Sequence, residues 1–317
     1  MRRLLSLAAA LAAALAGCGG DSGGGELRGV ALALDFQPNA AHAGIYAAER
    51  EALDERSGID LRVRVPAAST DSLKLLAAGR AQMAVVDIHD LGLARQAGSD
   101  VVGVGALVQR PLAAVIARSG AGIVRPRDLE ARRVGVTGLP SDEAVLRSIV
   151  AADGGAPGRV KRVTIGFSAV PSLIAGRVDA AVAFWNAEGV ALRERGVDTR
   201  EFRVDEFGAP RYPELVLAVT RETLRAQPEL VDSTLAALAA GTRAALADRD
   251  AAVSDIARAS GADEPLVRAQ LTALAPALRP ALRLDPRALA GWARFAARFG
   301  ILRRAPDPAE AFRLSAG

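Results

Sequence analysis

The chain has 317 residues, half of them hydrophobic, a length that can bury one large core or two modest ones. Forty basic residues stand against 36 acidic ones, and Arg2 and Arg3 fall in a leader, so the scattered arginines read as solvated faces and no nucleic-acid footprint is expected. A single cysteine, Cys18, excludes an internal disulfide and a thiolate metal cluster.

Met1-Arg2-Arg3 and the apolar run 4–16 read as a signal peptide over 1–17, too short for a comfortable transmembrane span. Leu15-Ala16-Gly17-Cys18 resembles a bacterial lipobox, which implies cleavage before Cys18 and lipid on its sulfur. Residues 18–27 then form a glycine-rich tether. A strand is expected over 30–34. Asp35-Phe36-Gln37-Pro38-Asn39 breaks it, and a helix from His42 carries Tyr46. A second strand follows over 61–65. Ser69, Thr70 and Asp71 are N-cap candidates for a helix through 76, and Gly79 stands where a C-cap belongs.

The next strand ends in the polar residues Asp87, His89 and Asp90. Strands over 101–108 and 113–117 flank Gln109-Arg110-Pro111, which reads as a crossing between lobes. A strand over 134–137 leads to a helix capped by Ser141, with Asp142 and Glu143 in its first turn, running to about 152. A strand over 160–165 precedes the apolar run 180–184, which has the length of a buried parallel strand and stops on Trp185, Asn186 and Glu188. The strand over 215–219 reads as the return crossing. Helices fill the rest, over 228–247, 251–258, 264–275 and 286–299. Trp292, Phe295 and Phe299 share one helical face and are assigned to the core.

Segments 72–87 and 172–185 share one shape: a helix, a Gly-Arg pair, then a strand with a polar end. Each reads as the third strand of its own α/β lobe. Ligands of open α/β sheets sit beyond the carboxyl ends of strands. Asp87 to Asp90 and Trp185 to Glu188 are therefore expected to line one cleft from opposite sides. A Trp, an Asn and a Glu together offer a stacking face, an amide and a carboxylate to a flat, nitrogen-rich molecule. An ordinary strand end with a capped helix fits the same residues.

Three segments carry a family resemblance: Leu34-Asp-Phe-Gln-Pro-Asn-Ala-Ala-His-Ala-Gly-Ile-Tyr46, Ala183-Phe-Trp-Asn-Ala-Glu-Gly-Val190 and Phe202-Arg-Val-Asp-Glu-Phe-Gly-Ala-Pro-Arg-Tyr-Pro-Glu-Leu215. They resemble bacterial solute-binding proteins for thiamine pyrimidine precursors, which feed ABC importers. The resemblance implies an α/β, type II periplasmic-binding fold. One lobe would hold 28–111 and 217–317, the other 112–216, with two crossings and a cleft between them. It implies a monomer outside the cytoplasm, tethered to a membrane through Cys18, serving an ABC permease and ATPase, with no catalysis, cofactor or metal.

The implied ligand contacts are Asp35, Phe36, Asn39, His42, Tyr46, Asp87, His89, Trp185, Asn186, Glu188, Tyr212 and Glu214. Trp185 is expected to stack on the ring while Asn186 and Glu188 read its polar edge, with Glu214 as the rival carboxylate. Twelve residues are aromatic, and Phe36, Tyr46, Trp185 and Tyr212 fall in the matched segments. Tyr46 fits a core position equally, and Tyr212 could brace the hinge. His42 fits a helix start and His89 a strand-end loop.

One departure matters. The family commonly has Trp where this chain has Phe36. Related folds bind sulfonates, nitrate or riboflavin. Fungal pyrimidine synthases resemble the chain less. They carry a cysteine-rich segment where it has Pro210-Arg-Tyr-Pro, and a pyridoxal-binding lysine where it has Val86 or Asp87. A binder of thiamine, riboflavin or sulfonates, and a synthase-like enzyme, are the alternatives.

Overall fold

Short runs rich in Val, Ile and Ala form ten strands among the described residues: β1 (Arg28–Ala33), β2 (Ile59–Arg64), β3 (Met83–Asp87), β4 (Val101–Ala106), β5 (Ala113–Arg118), β6 (Arg133–Val136), β7 (Lys161–Thr164), β8 (Ala180–Phe184), β9 (Thr199–Arg203) and β10 (Leu215–Thr220). The computed structural model describes residues 26–67 and 71–314. The leader, Cys18, most of the tether and the cap candidates Ser69 and Thr70 lie outside the described residues.

The strands make two five-stranded sheets, ordered β2-β1-β3-β10-β4 and β7-β6-β8-β5-β9. The echo in sequence becomes an echo in space, because β3 and β8 hold the same third place. Each sheet contains one strand, β10 or β5, that runs antiparallel to both its neighbours. The chain passes from the first sheet to the second between β4 and β5, and returns between β9 and β10. These two crossings are the only sheet-to-sheet passages among the described strands. β4, β5 and β10 are buried along nearly their whole length, so they read as unbroken apolar runs.

Helices cover the sheets. The Ala43–Arg50 helix lies against the long Pro228–Ala247 helix where Gly44 faces Gly241, and a β-carbon on Gly241 would enter the Gly44 carbonyl. In the Pro286–Arg298 helix Trp292 and Phe295 are buried, as their shared face requires. No helix among the described residues is long and apolar enough to cross a membrane.

Three local features depart from expectation. β9, with charges at most of its positions, forms the edge of the second sheet with Phe202 as its buried residue. Charge on an edge strand blocks further pairing, and it also hides the strand from an apolar pattern search. The helix expected from Ser141 begins at Pro140 with Leu139 as cap, because proline suits the first helical position. The Trp185–Gly189 segment is a single π-helical turn rather than an ordinary helix start.

Candidate functional site

A cavity of about 530 Å³ lies between the two sheets, at the carboxyl ends of their parallel strands. Asp35, Phe36 and Asn39 come from the end of β1, and Asp87, His89 and Asp90 from the end of β3. Thr137 and Asp142 follow β6, Phe167 follows β7, and Asn186 and Glu188 follow β8. The antiparallel strands start at this same edge, so both crossings add residues: Leu112 just before β5, Ala113 at its start, and Glu214 just before β10.

At the end of β1, Asn39 caps a short turn. Its Oδ1 accepts from Ala41 N (2.9 Å), and His42 Nδ1 accepts from Asn39 N (3.2 Å). With Nδ1 an acceptor, Nε2 carries the hydrogen and donates to Asp35 Oδ1 at 2.8 Å. His42 is fully buried and does not line the cavity. In this arrangement it supports Asp35 from behind the wall. Tyr46 also lies off the cavity, packed against the core of the first lobe, where burial and the Glu49 charge push its hydroxyl up to about 12.

Asp87 ends β3 and caps the next helix, accepting from His89 N at 2.6 Å. The β3–β10 register sets Leu215 opposite Asp87, which brings the neighbouring Glu214 beside it on the cavity wall. Glu214 Oε2 also accepts from Leu112 N at 2.6 Å. Burial pushes Glu214 up to about 7. Burial, then the charges of Glu214 and Asp90, hold Asp87 well above the usual carboxylate range.

His89 lies against this pair with both ring nitrogens engaged. Nδ1 accepts from Trp292 Nε1 (3.0 Å), which leaves the hydrogen on Nε2, directed at Tyr212 Oη (3.1 Å). Burial pushes the imidazole down to about 3, so it is neutral. Tyr212 is fully buried and off the cavity wall. From there it braces His89.

Trp185 stands off the wall. The π-helical turn directs its indole away from the cavity, where Nε1 donates to Pro111 O of the first crossing at 3.0 Å. Its ring is covered by the Arg203 guanidinium, 4.3 Å from the centroid, and approached by Arg110 at 5.4 Å. Its polar edge and one aromatic face are thus taken up at the first crossing. The same turn brings Asn186 and Glu188 to the wall. Glu188 Oε2 accepts from Phe184 N at 3.0 Å, and burial raises its carboxyl. Asn186 is 2% exposed and its Oδ1 has no hydrogen-bond partner. A buried amide oxygen left unpaired costs roughly 1–3 kcal/mol, which a ligand N–H would recover.

Phe167, Asp142 and Asp90 stand on the wall beyond the expected contacts. Phe167, 52% exposed, meets Phe36 of the other lobe edge-on, with centroids 5.0 Å apart. Its signal was its place after Gly166 at the end of a strand. Asp142, a charge in the first turn of its helix, accepts at Oδ2 from Thr137 N (2.5 Å) and Oγ1 (2.6 Å). Asp90 was read as lining the cleft but not as a contact. Burial, with the charges of Asp142 and Asp35, pushes it up to about 6.

The wall thus holds six carboxyl groups, from Asp35, Asp87, Asp90, Asp142, Glu188 and Glu214, against one arginine, Arg195. Such a cavity accepts hydrogen bonds and repels anions. No group of three metal-ligating side chains occurs among the described residues.

The family model described as NMT1/THI5 like matches residues 39–252. The formylaminopyrimidine-binding protein of Halalkalibacterium halodurans is 34% identical over 192 residues, 60% of this chain and 58% of that protein, so the match spans less than two thirds of the relative. The 4-amino-5-hydroxymethyl-2-methylpyrimidine phosphate synthase of Legionella pneumophila is 26% identical over 215 residues, 67% of each chain. The periplasmic aliphatic sulphonate binding protein SsuA of Escherichia coli shares the fold with a TM-score of 0.75 at 15% identity, covering 90% of this chain and 97% of that one. The chain belongs to the NMT1/THI5-like family and has the type II periplasmic-binding fold.

Proposed function

We propose that this chain is the substrate-binding lipoprotein of an ABC importer and takes up a substituted aminopyrimidine, a thiamine precursor, outside the cytoplasm. The observation that carries the reading is the acceptor-rich wall: six carboxyl groups, one arginine and the unpartnered Asn186 oxygen. An aminopyrimidine offers exocyclic N–H donors beside ring nitrogens and a flat face for Phe36 and Phe167. A sulfonate would meet mainly negative charge. The formylaminopyrimidine-binding relative supports the same ligand class.

The family also contains named synthases, so an enzyme is the second reading. Against it, the wall residues include no lysine that could hold pyridoxal, and a phosphate would face the same carboxylates.

A thermal-shift panel separates these readings. The purified protein is melted with 4-amino-5-hydroxymethyl-2-methylpyrimidine, thiamine, riboflavin, an alkanesulfonate or pyridoxal phosphate. The aminopyrimidine at 100 times its Kd should stabilise by about 2.7 kcal/mol. A shift with the sulfonate alone, or with pyridoxal phosphate alone, would overturn the proposal. The anchor is tested separately: Cys18→Ser should release the protein from membranes or block leader cleavage, and unchanged fractionation and processing would contradict it.

A further inference from the structure

Asp87 and Glu214 stand side by side across the β3–β10 register, where Ile88 N donates to Glu214 O at 2.9 Å, and both carboxyls line the same cavity wall; two acids so placed with burial and no cation between them favour keeping one proton. The protein supplies this pair with backbone donors, His89 N to Asp87 and Leu112 N to Glu214, both at 2.6 Å, but with no cation. The groups facing it are acids or neutral. Asp90 approaches from the helix after β3, and Tyr212 and Asp205 from the second crossing. Arg110 is nearby but bound to Asp205 at 2.9 Å, and His89 has both ring nitrogens in use. Asn186, also on the wall, presents a buried, unpartnered oxygen. The wall as built lacks a positive charge at the pair and an N–H at Asn186.

Resting on the aminopyrimidine reading above, we propose that the Asp87–Glu214 pair hands its proton to a ring nitrogen, so that the ligand is held as an aminopyrimidinium cation. The carboxyl O–H bond breaks and a ring N–H bond forms from the nitrogen lone pair. The pair becomes two carboxylates, the ligand gains one positive charge, and no proton enters or leaves solvent. The cation then lies between charges that would otherwise repel, and its N–H bonds to them are charge-assisted, about twice as strong as neutral ones. The site so built selects amino-heterocycles with a basic ring nitrogen. It excludes oxo-pyrimidines of the same shape, which lack both the amino group and the basic nitrogen.

The test uses the purified protein saturated with 4-amino-5-hydroxymethyl-2-methylpyrimidine carrying 15N at both ring positions, at pH 6.5, with the free probe at the same pH as the reference. Calorimetry first establishes that the probe binds. The expected spectrum shows one ring nitrogen displaced far upfield, to the protonated position. In Glu214→Gln, whose amide cannot give up a proton, that displacement should be lost and affinity should fall by about tenfold or more. Asp87→Asn is the second variant if the first fails to fold, with melts confirming the fold.

Two neutral ring nitrogens in the bound probe would overturn the inference and leave aminopyrimidine binding intact. A protonated ring that persists in both variants would overturn the assignment of the proton to this pair. A probe that does not bind would overturn the aminopyrimidine reading, and this inference with it.

Discussion

Trp185 stands at the end of a buried strand, where its type and place point to a ligand, yet its indole is spent on the first crossing. The hydrogen bond to Pro111 O and the Arg203 guanidinium over its face account for both its polar and its aromatic capacity. Trp185→Phe keeps the ring and loses the bond, which should cost about 1 kcal/mol in urea denaturation, and aminopyrimidine affinity should stay within about twofold. A large affinity loss with unchanged stability would return Trp185 to the ligand.

The carboxyl groups make a second residue-scale prediction. Glu214 is pushed up to about 7 and Asp90 to about 6 in the fold, so between their unfolded values and these the folded state holds the extra protons. Stability contributed by those protons is complete below about pH 4 and is lost as the pH rises through about 7. The ligand-free protein should therefore lose stability between pH 5 and pH 8, and Glu214→Gln should lose less. Denaturation curves at the two pH values measure this, and an equal or larger loss in the variant would contradict it. His89, pushed down to about 3, acts in the opposite sense, since its contribution is lost as the pH falls below about 6.5.

At the scale of elements, much of the architecture was written in local pattern. The buried strands β3, β5, β8 and β10 are apolar runs of strand length, and the Pro228–Ala247 helix starts and stops where the sequence places it. β9 was not legible, because an edge strand needs few apolar residues. The π-helical turn was not legible either. Nothing in Trp185-Asn-Ala-Glu-Gly189 distinguishes it from an ordinary helix start, yet it decides which of these side chains reach the cavity. That is why Asn186 and Glu188 reach the wall with Trp185 turned away. His42 and Tyr212 have a different cause, since both do their work one layer behind a wall residue, a relation fixed only by tertiary contact.

The loops after β1 and β7 meet through Phe36 and Phe167, one from each lobe. An aromatic pair of this geometry contributes roughly 0.5–1.5 kcal/mol beyond burial. Phe167→Ala should therefore speed ligand release by about two- to tenfold in stopped-flow displacement. Because the ring is half-exposed, the melting temperature should change little. An unchanged release rate would remove Phe167 from the mouth of the site.

At the scale of the whole molecule, two lobes joined by two crossings can hinge about the cleft. The hinge is cross-braced: Arg110 of the first crossing pairs with Asp205 of the second at 2.9 Å, and both Arg110 and Arg203 lie on Trp185. Closure would carry the Asn186 side of the cavity toward the Asp87–Glu214 side and exclude water from both. The most direct test is a crystal structure of the protein grown with 4-amino-5-hydroxymethyl-2-methylpyrimidine. The expected result is a ring inside the cavity, its nitrogens about 3 Å from carboxyl oxygens of Asp87 or Glu214 or from Asn186 Oδ1. Its face should lie toward Phe36 and Phe167, with Trp185 still bonded to Pro111. A ring stacked on Trp185 and remote from the Asp87–Glu214 pair, or a cavity left empty at saturating ligand, would contradict the acid-lined cleft as the binding site.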